Sequence, residues 1–383
     1  MEDQGSPFLL GKVVSGDLFI DREQERERLR ANCIGGVNTV LISPRRWGKS
    51  SLVRQVAMDM RRQKNVRFAF IDLFHIRSEN DLLERITEAV VKATTTKLEE
   101  RVKDVKEFLR GVVPQIGFGV DPQSEFNLKL TWPEGKRDVS EILDMPEKLA
   151  KKKKLRLVIC LDEFQNIANL PDPVGFQKIL RASWQHHKNV CHVIYGSKRH
   201  MMLNIFNTDR MPFYRFGDMI LLDKIKRKDW VGFIQKRFAT TKKKITADAA
   251  AHIPELMDDH SHFVQLLSHS SWMHTRRSCN VETVRLALND LLDQHDPLYH
   301  RLVDELSTPQ LNYLRAMLNG VEKMSAKSTI DTYKLGSTAN VQRVAKALEK
   351  KEILDLVEKE PIWVDPMFRT WLRDRFWGSR LMP

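Results

Sequence analysis

The sequence predicts an α/β fold: a mostly parallel sheet with helices on both faces and a β-hairpin insertion, followed by a helical lid domain and a winged-helix domain. Three observations lead there. Short aliphatic runs alternate with stretches of helical period through the first half of the chain, one segment between them switches to strict alternation, and after Ile225 helical patterns take over until two short strands near the end.

The aliphatic runs are 39–42, 68–73, 155–161, 190–195 and 219–222. Each is short and rich in aliphatic residues, the signature of a buried strand. Between them Leu52, Val53, Val56, Ala57 and Met60 recur at helical spacing, as do Leu82, Leu83, Ile86, Ala89 and Val90. Strands alternating with helices imply right-handed crossovers and a parallel sheet. Residues 116–120 and 126–131 instead alternate apolar and polar around Asp121, Pro122, Gln123 and Ser124, the pattern of a β-hairpin. It reads as an insertion over about 115–132, after a helix expected over 98–112, and as a hairpin packed on the core in preference to a partner-binding finger.

Beyond the sheet, Trp230, Phe233, Ile234 and Phe238 share one helical face, and Phe263, Leu266 and Leu267 another. From Leu302 the chain offers three helices and then strands at 353–357 and 362–364, separated by Glu358, Lys359, Glu360 and Pro361. That order is a winged-helix pattern. The expected domains are therefore 1–225, 226–296 and 297–383.

A chain of 383 residues, 42% hydrophobic and 30% charged, has the composition of a globular multidomain protein. No apolar run is long enough to span a bilayer, so no membrane partner is expected and a cytoplasmic location is. The formal net charge of +13 favours phosphate-rich partners, although the Lys runs 151–154 and 242–244 read as solvated faces. Cys33, Cys160, Cys191 and Cys279 lack paired ligand or redox spacing and read as reduced thiols, with Cys160 and Cys191 as buried small hydrophobes. His260, His262 and His269 have no accompanying ligands at zinc spacing, and no zinc site is expected.

The chemistry begins after the first strand, where Ser43, Pro44, Arg45, Arg46, Trp47, Gly48, Lys49, Ser50 and Ser51 lead into a helix. Backbone N–H groups at a helix start, aided by its dipole, suit phosphate oxygens. Gly48 permits a close backbone approach, Lys49 reaches the β and γ phosphates, and the Ser50 hydroxyl completes a Mg²⁺ shell. Ser43 stands where the full Walker A pattern begins with Gly. The third run ends in Asp162 and Glu163, and in a parallel sheet such strand ends face the ligand crevice. Asp162 is therefore assigned to Mg²⁺ and Glu163 to polarising the attacking water, against the plainer reading of a helix cap. The next strand ends in Gly196, Ser197, Lys198 and Arg199, where Ser197 and Arg199 are candidate sensors of the γ-phosphate.

Together these residues resemble the archaeal ATPase family of P-loop NTPases, grouped with STAND and AAA+ proteins. The resemblance runs from Phe19, Ile20, Asp21, Arg22, Glu23 and Glu25 through 43–51 to Leu161, Asp162, Glu163, Phe164 and Gln165. It continues through Gly196 and Ser197, the stretch 260–267, and Tyr333, Leu335, Gly336, Ser337, Asp365, Pro366 and Phe368. It implies an ATPase core, a helical lid and a winged helix acting as a nucleotide-dependent switch. Where the family has Pro-Leu-Tyr-Gly-Arg this chain has Pro212, Phe213, Tyr214, Arg215 and Phe216, and Ser261 replaces a usual proline near the lid.

The leading expectation is a slow ATPase that uses ATP and Mg²⁺, with Lys49, Glu163, Ser197 and Arg199 at the chemistry. The alternative is a nucleotide-regulated DNA-binding or protein-scaffolding module with little turnover; a small-molecule kinase ranks third, for want of an acceptor lid. The segment 338–351 is the recognition-helix position, with Arg343, Lys346 and Lys350 on one face and Lys351 beyond. Glu349, Glu352, Glu358 and Glu360 dilute that charge, so docking or protein contact, through Ala345 and Leu348, ranks above DNA binding. ATP or ADP and a protein partner or second copy are the expected partners.

Overall fold

The computed structural model describes the chain except residues 1–4, 97–99, 102, 105–106, 108–112, 118–126, 132–138, 358–359 and 382–383. It divides into two compact units, Val13–Asp223, and the residues up to Lys12 together with Lys224–Pro383.

In the first unit α1 (Glu23–Gly35), β1 (Thr39–Ile42), α2 (Lys49–Asp59), β2 (Val66–Asp72) and α3 (Glu79–Thr94) precede β3 (Val113–Gly117) and β4 (Asn127–Thr131). Then come α4 (Ser140–Lys152), β5 (Arg156–Asp162), α5 (Pro173–Trp184), β6 (Val190–Gly196), α6 (Arg199–Asn207) and β7 (Asp218–Leu221). Five strands form one parallel sheet in the order β2-β5-β6-β1-β7. Because successive side chains alternate faces, the apolar strands supply two cores at once. Val40, Ile42, Ile71, Ile159, Leu161 and Ile194 pack with Leu83, Ile86, Leu149 and Leu180 on one face. Leu41, Val158, Cys160, Cys191, Val193 and Tyr195 meet Leu29, Cys33, Leu52 and Val56 of α1 and α2 on the other. All four cysteines are buried free thiols, three of them in this second core.

The sheet order positions the chemistry. β6 lies between β1 and β5, with Ile42 opposite Gly196 and Leu161 opposite Ile194. The residues that leave these strands, Ser43, Ser197 and Glu163, therefore emerge together at one edge.

The hairpin pairs antiparallel, Gly117 opposite Asn127, so its first strand starts three residues earlier than the alternation suggests. Its expected turn and most of the helix expected over 98–112 lie outside the described residues.

The second unit contains α7 (Arg227–Ala239), β8 (Lys244–Ile245), α8 (Ala247–Leu256), α9 (Ser261–His274), β9 (Ser278–Cys279) and α10 (Val281–Asp304). α11 (Thr308–Leu318), α12 (Lys327–Thr332), α13 (Thr338–Lys350), β10 (Leu354–Val357), β11 (Glu360–Trp363) and α14 (Pro366–Trp371) complete it. Strand structure does not stop at Ile225 as the pattern suggests: β8 and β9 form a short parallel pair, with Lys244 in it opposite Ser278. Two residues per strand are too few to leave a periodic signal.

Residues near the N-terminus belong to this unit. Phe8 meets Phe233 and Phe238 edge-on, Arg237 Nε donates to the Pro7 carbonyl at 2.9 Å, and Ser6 Oγ lies 2.6 Å from His269 Nδ1. The structure thus begins the sheet unit at Val13 and ends it at Asp223. The expected boundary at 296/297 falls within the single helix α10, whose capping box at Asn280 and Thr283 fixes its start. Trp371 Nε1 donates to Asp296 at 2.8 Å and Tyr299 donates to Asp365 at 3.2 Å, tying α14 to the same helix.

The winged helix is formed by α11, α12 and α13 with the hairpin β10–β11. Ala345 and Leu348, expected to serve as packing residues in docking, are 8% and 0% exposed. With Val341 and Val344 they form the buried stripe of α13. Arg343, Lys346 and Lys350 are exposed. Among the described residues no helix is long and apolar enough to cross a membrane.

Candidate functional site

β1 delivers the chain to a loop that must reverse into α2 within six residues, and two residues take left-handed backbone to do so: Arg46 at φ 65° and Gly48 at φ 96°. A Cβ at position 48 would meet nothing within 4 Å, so conformation rather than crowding calls for glycine there. Gly48 is the residue before the first turn of α2, and its carbonyl accepts from Leu52 N at 2.9 Å.

The Lys49 side chain is 5% exposed and curls back under the loop. Its Nζ donates to the carbonyls of Ser43 at 2.9 Å and Pro44 at 2.8 Å. Burial lowers its pKa to about 8 even though Glu163 and Asp162 favour the charged form. Next along α2, Ser50 Oγ donates to Asp162 Oδ2 at 2.8 Å, a contact between residues 112 apart in sequence. Asp162 Oδ1 accepts from Glu163 N at 2.8 Å. Burial raises the Asp162 pKa to about 6, with the Ser50 hydrogen bond pulling the other way. A hydroxyl and a carboxylate oxygen side by side are the hard donor set that Mg²⁺ takes, and a buried ammonium beside them suits phosphate, so these residues fit both groups.

Glu163 turns left-handed at φ 52°, which carries its side chain sideways off the strand end. There Ser197 Oγ donates to Glu163 Oε2 at 2.8 Å, and Gln165 Nε2 donates to the same oxygen. The structure therefore brings together Lys49, Ser50, Asp162, Glu163 and Ser197. Arg199 starts α6, and among the described residues no hydrogen bond or ion pair joins it to Lys49, Asp162 or Glu163. Ser43 and Pro44 are buried, whereas Arg45 and Arg46 are exposed and Trp47 half-buried. Ser51 Oγ accepts from Val14 N at 3.2 Å, which turns it toward the chain before α1. Arg215 is exposed beside Tyr214, while Phe213 and Phe216 are core residues that meet edge-on with ring centroids 5.0 Å apart.

Two site residues were not assigned a role from sequence. Arg22, left-handed at φ 71° and 3% exposed, donates through Nη2 to the Trp47 carbonyl at 3.2 Å and through Nη1 to Glu25 at 3.2 Å. Burial lowers its pKa, opposed by Glu25. Gln165 is the other. Both stand in stretches that carry the family resemblance, which was the available signal.

Residues 19–252 match a family described as an ATPase domain predominantly from Archaea, and residues 297–374 match a probable winged helix domain. No curated protein matches the chain. Among solved structures, the Walker-type ATPase PABY2304 of Pyrococcus abyssi superposes with a TM-score of 0.68 at 17% identity, over 96% of this chain and 99% of that one. The ORC2 protein of Aeropyrum pernix, in its ADPNP–ADP complexes, gives 0.54 at 15% identity over 96% and 93% of the two chains. At these identities the likeness is one of fold.

Proposed function

The chain belongs to the family of ATPase domains predominantly from Archaea, and on that premise we propose that it binds ATP with Mg²⁺, hydrolyses it slowly and uses the nucleotide as a conformational switch. The observation that carries this reading is the Ser50 hydroxyl on the Asp162 carboxylate at 2.8 Å, beside the buried Lys49 ammonium.

Lys49 would exchange the carbonyls of Ser43 and Pro44 for β and γ phosphate oxygens, and the N–H groups that open α2 would meet the same charge. Ser50 and Asp162 would hold Mg²⁺, which neutralises phosphate charge when bound. Glu163 would orient the attacking water and accept its proton, with Ser197 fixing the carboxylate. We retain the division into ATPase domain, helical lid (226–296) and winged helix (297–383) as the moving parts, and a cytoplasmic location, as parts of the same proposal. The solved ORC2 of Aeropyrum pernix is a nucleotide complex of similar fold, which supports ATP or ADP as the ligand.

A second reading, nucleotide-regulated DNA binding, is favoured by one observation: Arg343, Lys346 and Lys350 are exposed at helical spacing on α13. Titration calorimetry of the purified chain with ATP, with and without Mg²⁺, followed by a phosphate-release assay, tests the main reading. Binding that needs Mg²⁺ together with phosphate release supports it, and binding without release leaves the switch alone.

A further inference from the structure

Among the described residues Glu163 has two donors on one oxygen and none on the other. Ser197 Oγ and Gln165 Nε2 both donate to Oε2, and among the described residues no hydrogen bond reaches Oε1. Ser197 arrives from the end of β6, whereas Gln165 arrives from the 3-10 turn Phe164–Asn169 that the left-handed backbone of Glu163 initiates.

The Gln165 side chain is 1% exposed, yet its own Oε1 is buried without a hydrogen-bond partner. That oxygen occupies the space beside Gly196, where an added Cβ would lie 2.2 Å from it and 2.6 Å from Met202 Sδ. The amide has one sensible orientation, because reversing it would set its carbonyl against the Glu163 carboxylate. A buried carbonyl with no partner is destabilising. A residue kept for packing alone would have no need of it, since methionine fills the same volume without a polar atom.

We propose that Gln165 is a positioning residue for Glu163: with Ser197 it holds Oε2, so that Oε1 is the oxygen presented to the attacking water. This rests on the hydrolytic reading given above. In the step it serves, Oε1 takes a proton from water as the water oxygen bonds to the γ-phosphorus, and the bond from that phosphorus to the β–γ bridging oxygen breaks, releasing ADP.

The full-length chain, Gln165→Met, Glu163→Gln and the double variant are compared by steady-state hydrolysis, by titration with a fluorescent ATP analogue and by thermal unfolding. Gln165→Met is expected to lower kcat roughly tenfold, at the small end of the range for a disturbed general base, with KM and nucleotide affinity within about twofold of the parent. Its unfolding midpoint is expected to match the parent within about 2 °C or to exceed it, because an unpartnered buried oxygen is removed. Added to Glu163→Gln, the change should cause no further loss of rate, since the group it positions is already gone.

An unchanged kcat in Gln165→Met overturns the proposal while leaving the hydrolytic reading intact. So does a fall in kcat that comes with weaker binding and a lowered midpoint, which marks a purely structural glutamine, or a rate loss that persists in the Glu163→Gln background. A parent chain that binds ATP and never cleaves it overturns the hydrolytic reading, and this proposal with it.

Discussion

Lys49 Nζ reaches back six residues to donate to the Ser43 carbonyl at 2.9 Å, which places its charge inside the loop it belongs to. Arg22 and Lys49 are both buried cations at this loop, but Arg22 is engaged by Glu25 and the Trp47 carbonyl, whereas Lys49 is the one whose charge is felt by Asp162 and Glu163; Arg45 and Arg46 are exposed. Lys49→Ala should therefore lower ATP affinity by at least about a hundredfold, the scale of losing a charge-assisted contact to phosphate. Titration calorimetry checks it, with circular dichroism to show that the sheet is kept. Unaltered affinity would remove the phosphate-loop assignment.

The two shifted groups set a pH window. Lys49 ionises at about 8 instead of 10.5, and Asp162 at about 6 instead of 3.8, both because burial penalises their charged forms. For Lys49 the penalty on stability is complete below pH 8 and is relieved as pH rises toward 10.5. For Asp162 it is complete above pH 6 and is relieved as pH falls toward 3.8. Ligand binding needs the opposite, an ammonium and a carboxylate. Affinity for ATP with Mg²⁺ should peak between about pH 6 and 8 and fall on either side, whereas the contribution of these two groups to stability is lowest in that window and rises on either side of it. Binding titrations and thermal scans from pH 5 to 9.5 should diverge in this way; parallel curves would count against it.

Glu163 is separable from binding because it lies beyond the Ser50–Asp162 pair, held by Ser197 at 2.8 Å. Glu163→Gln should retain ATP and slow its cleavage by about a hundredfold or more. Single-turnover phosphate release measures this directly, and a native rate would make Glu163 structural.

How far the site was legible in the sequence follows from the range of the contacts. Gly48, Lys49 and Ser50 announce themselves because strand, turn and helix start are local patterns, and Asp162 because two carboxylates at the end of an apolar strand are costly without a ligand. The five sheet strands were readable for the same reason, each within two residues of its observed limits. Arg22 and Gln165 left no such trace. Their roles depend on left-handed turns at Arg22 and Glu163 that redirect side chains toward residues placed by the tertiary fold. Short β8 and β9 escaped because a two-residue strand has no period.

Arg22 offers a test of that missed layer. Its guanidinium, 3% exposed, links the start of α1 to the Trp47 carbonyl in the phosphate loop and to Glu25. Arg22→Ala would leave that carbonyl without its donor and a void in place of the side chain. We expect a loss of about 1–3 kcal/mol in urea unfolding, and ATP affinity weaker by roughly tenfold as the loop loosens. Arg22→Lys should recover little of either, because one ammonium nitrogen does not reproduce the separate Nη1 and Nη2 donors that the planar fork directs at Glu25 and the Trp47 carbonyl.

The winged helix supplies the last prediction. α13 buries Val341, Val344, Ala345 and Leu348 and leaves Arg343, Lys346 and Lys350 exposed, so its solvent face is basic at a spacing of three and four residues. Ala345 and Leu348, which were expected to dock the helix, belong to its buried stripe, and the exposed face that remains is suited to phosphate. Glu360 at the start of β11 is exposed and acidic, which weakens the contribution of the wing. Three phosphate contacts without wing support should give weak, sequence-independent duplex binding. The logarithm of its association constant should fall with the logarithm of salt at a slope near −3. Replacing Arg343, Lys346 and Lys350 together by Glu in the full-length chain should abolish that binding and leave ATP affinity unchanged, because none of the three is among the residues proposed to hold nucleotide. Fluorescence anisotropy with a labelled duplex across a salt series reads both quantities. Binding that survives the triple substitution with the same slope would place the contact elsewhere on the chain, and no binding at low salt would leave α13 with a protein partner.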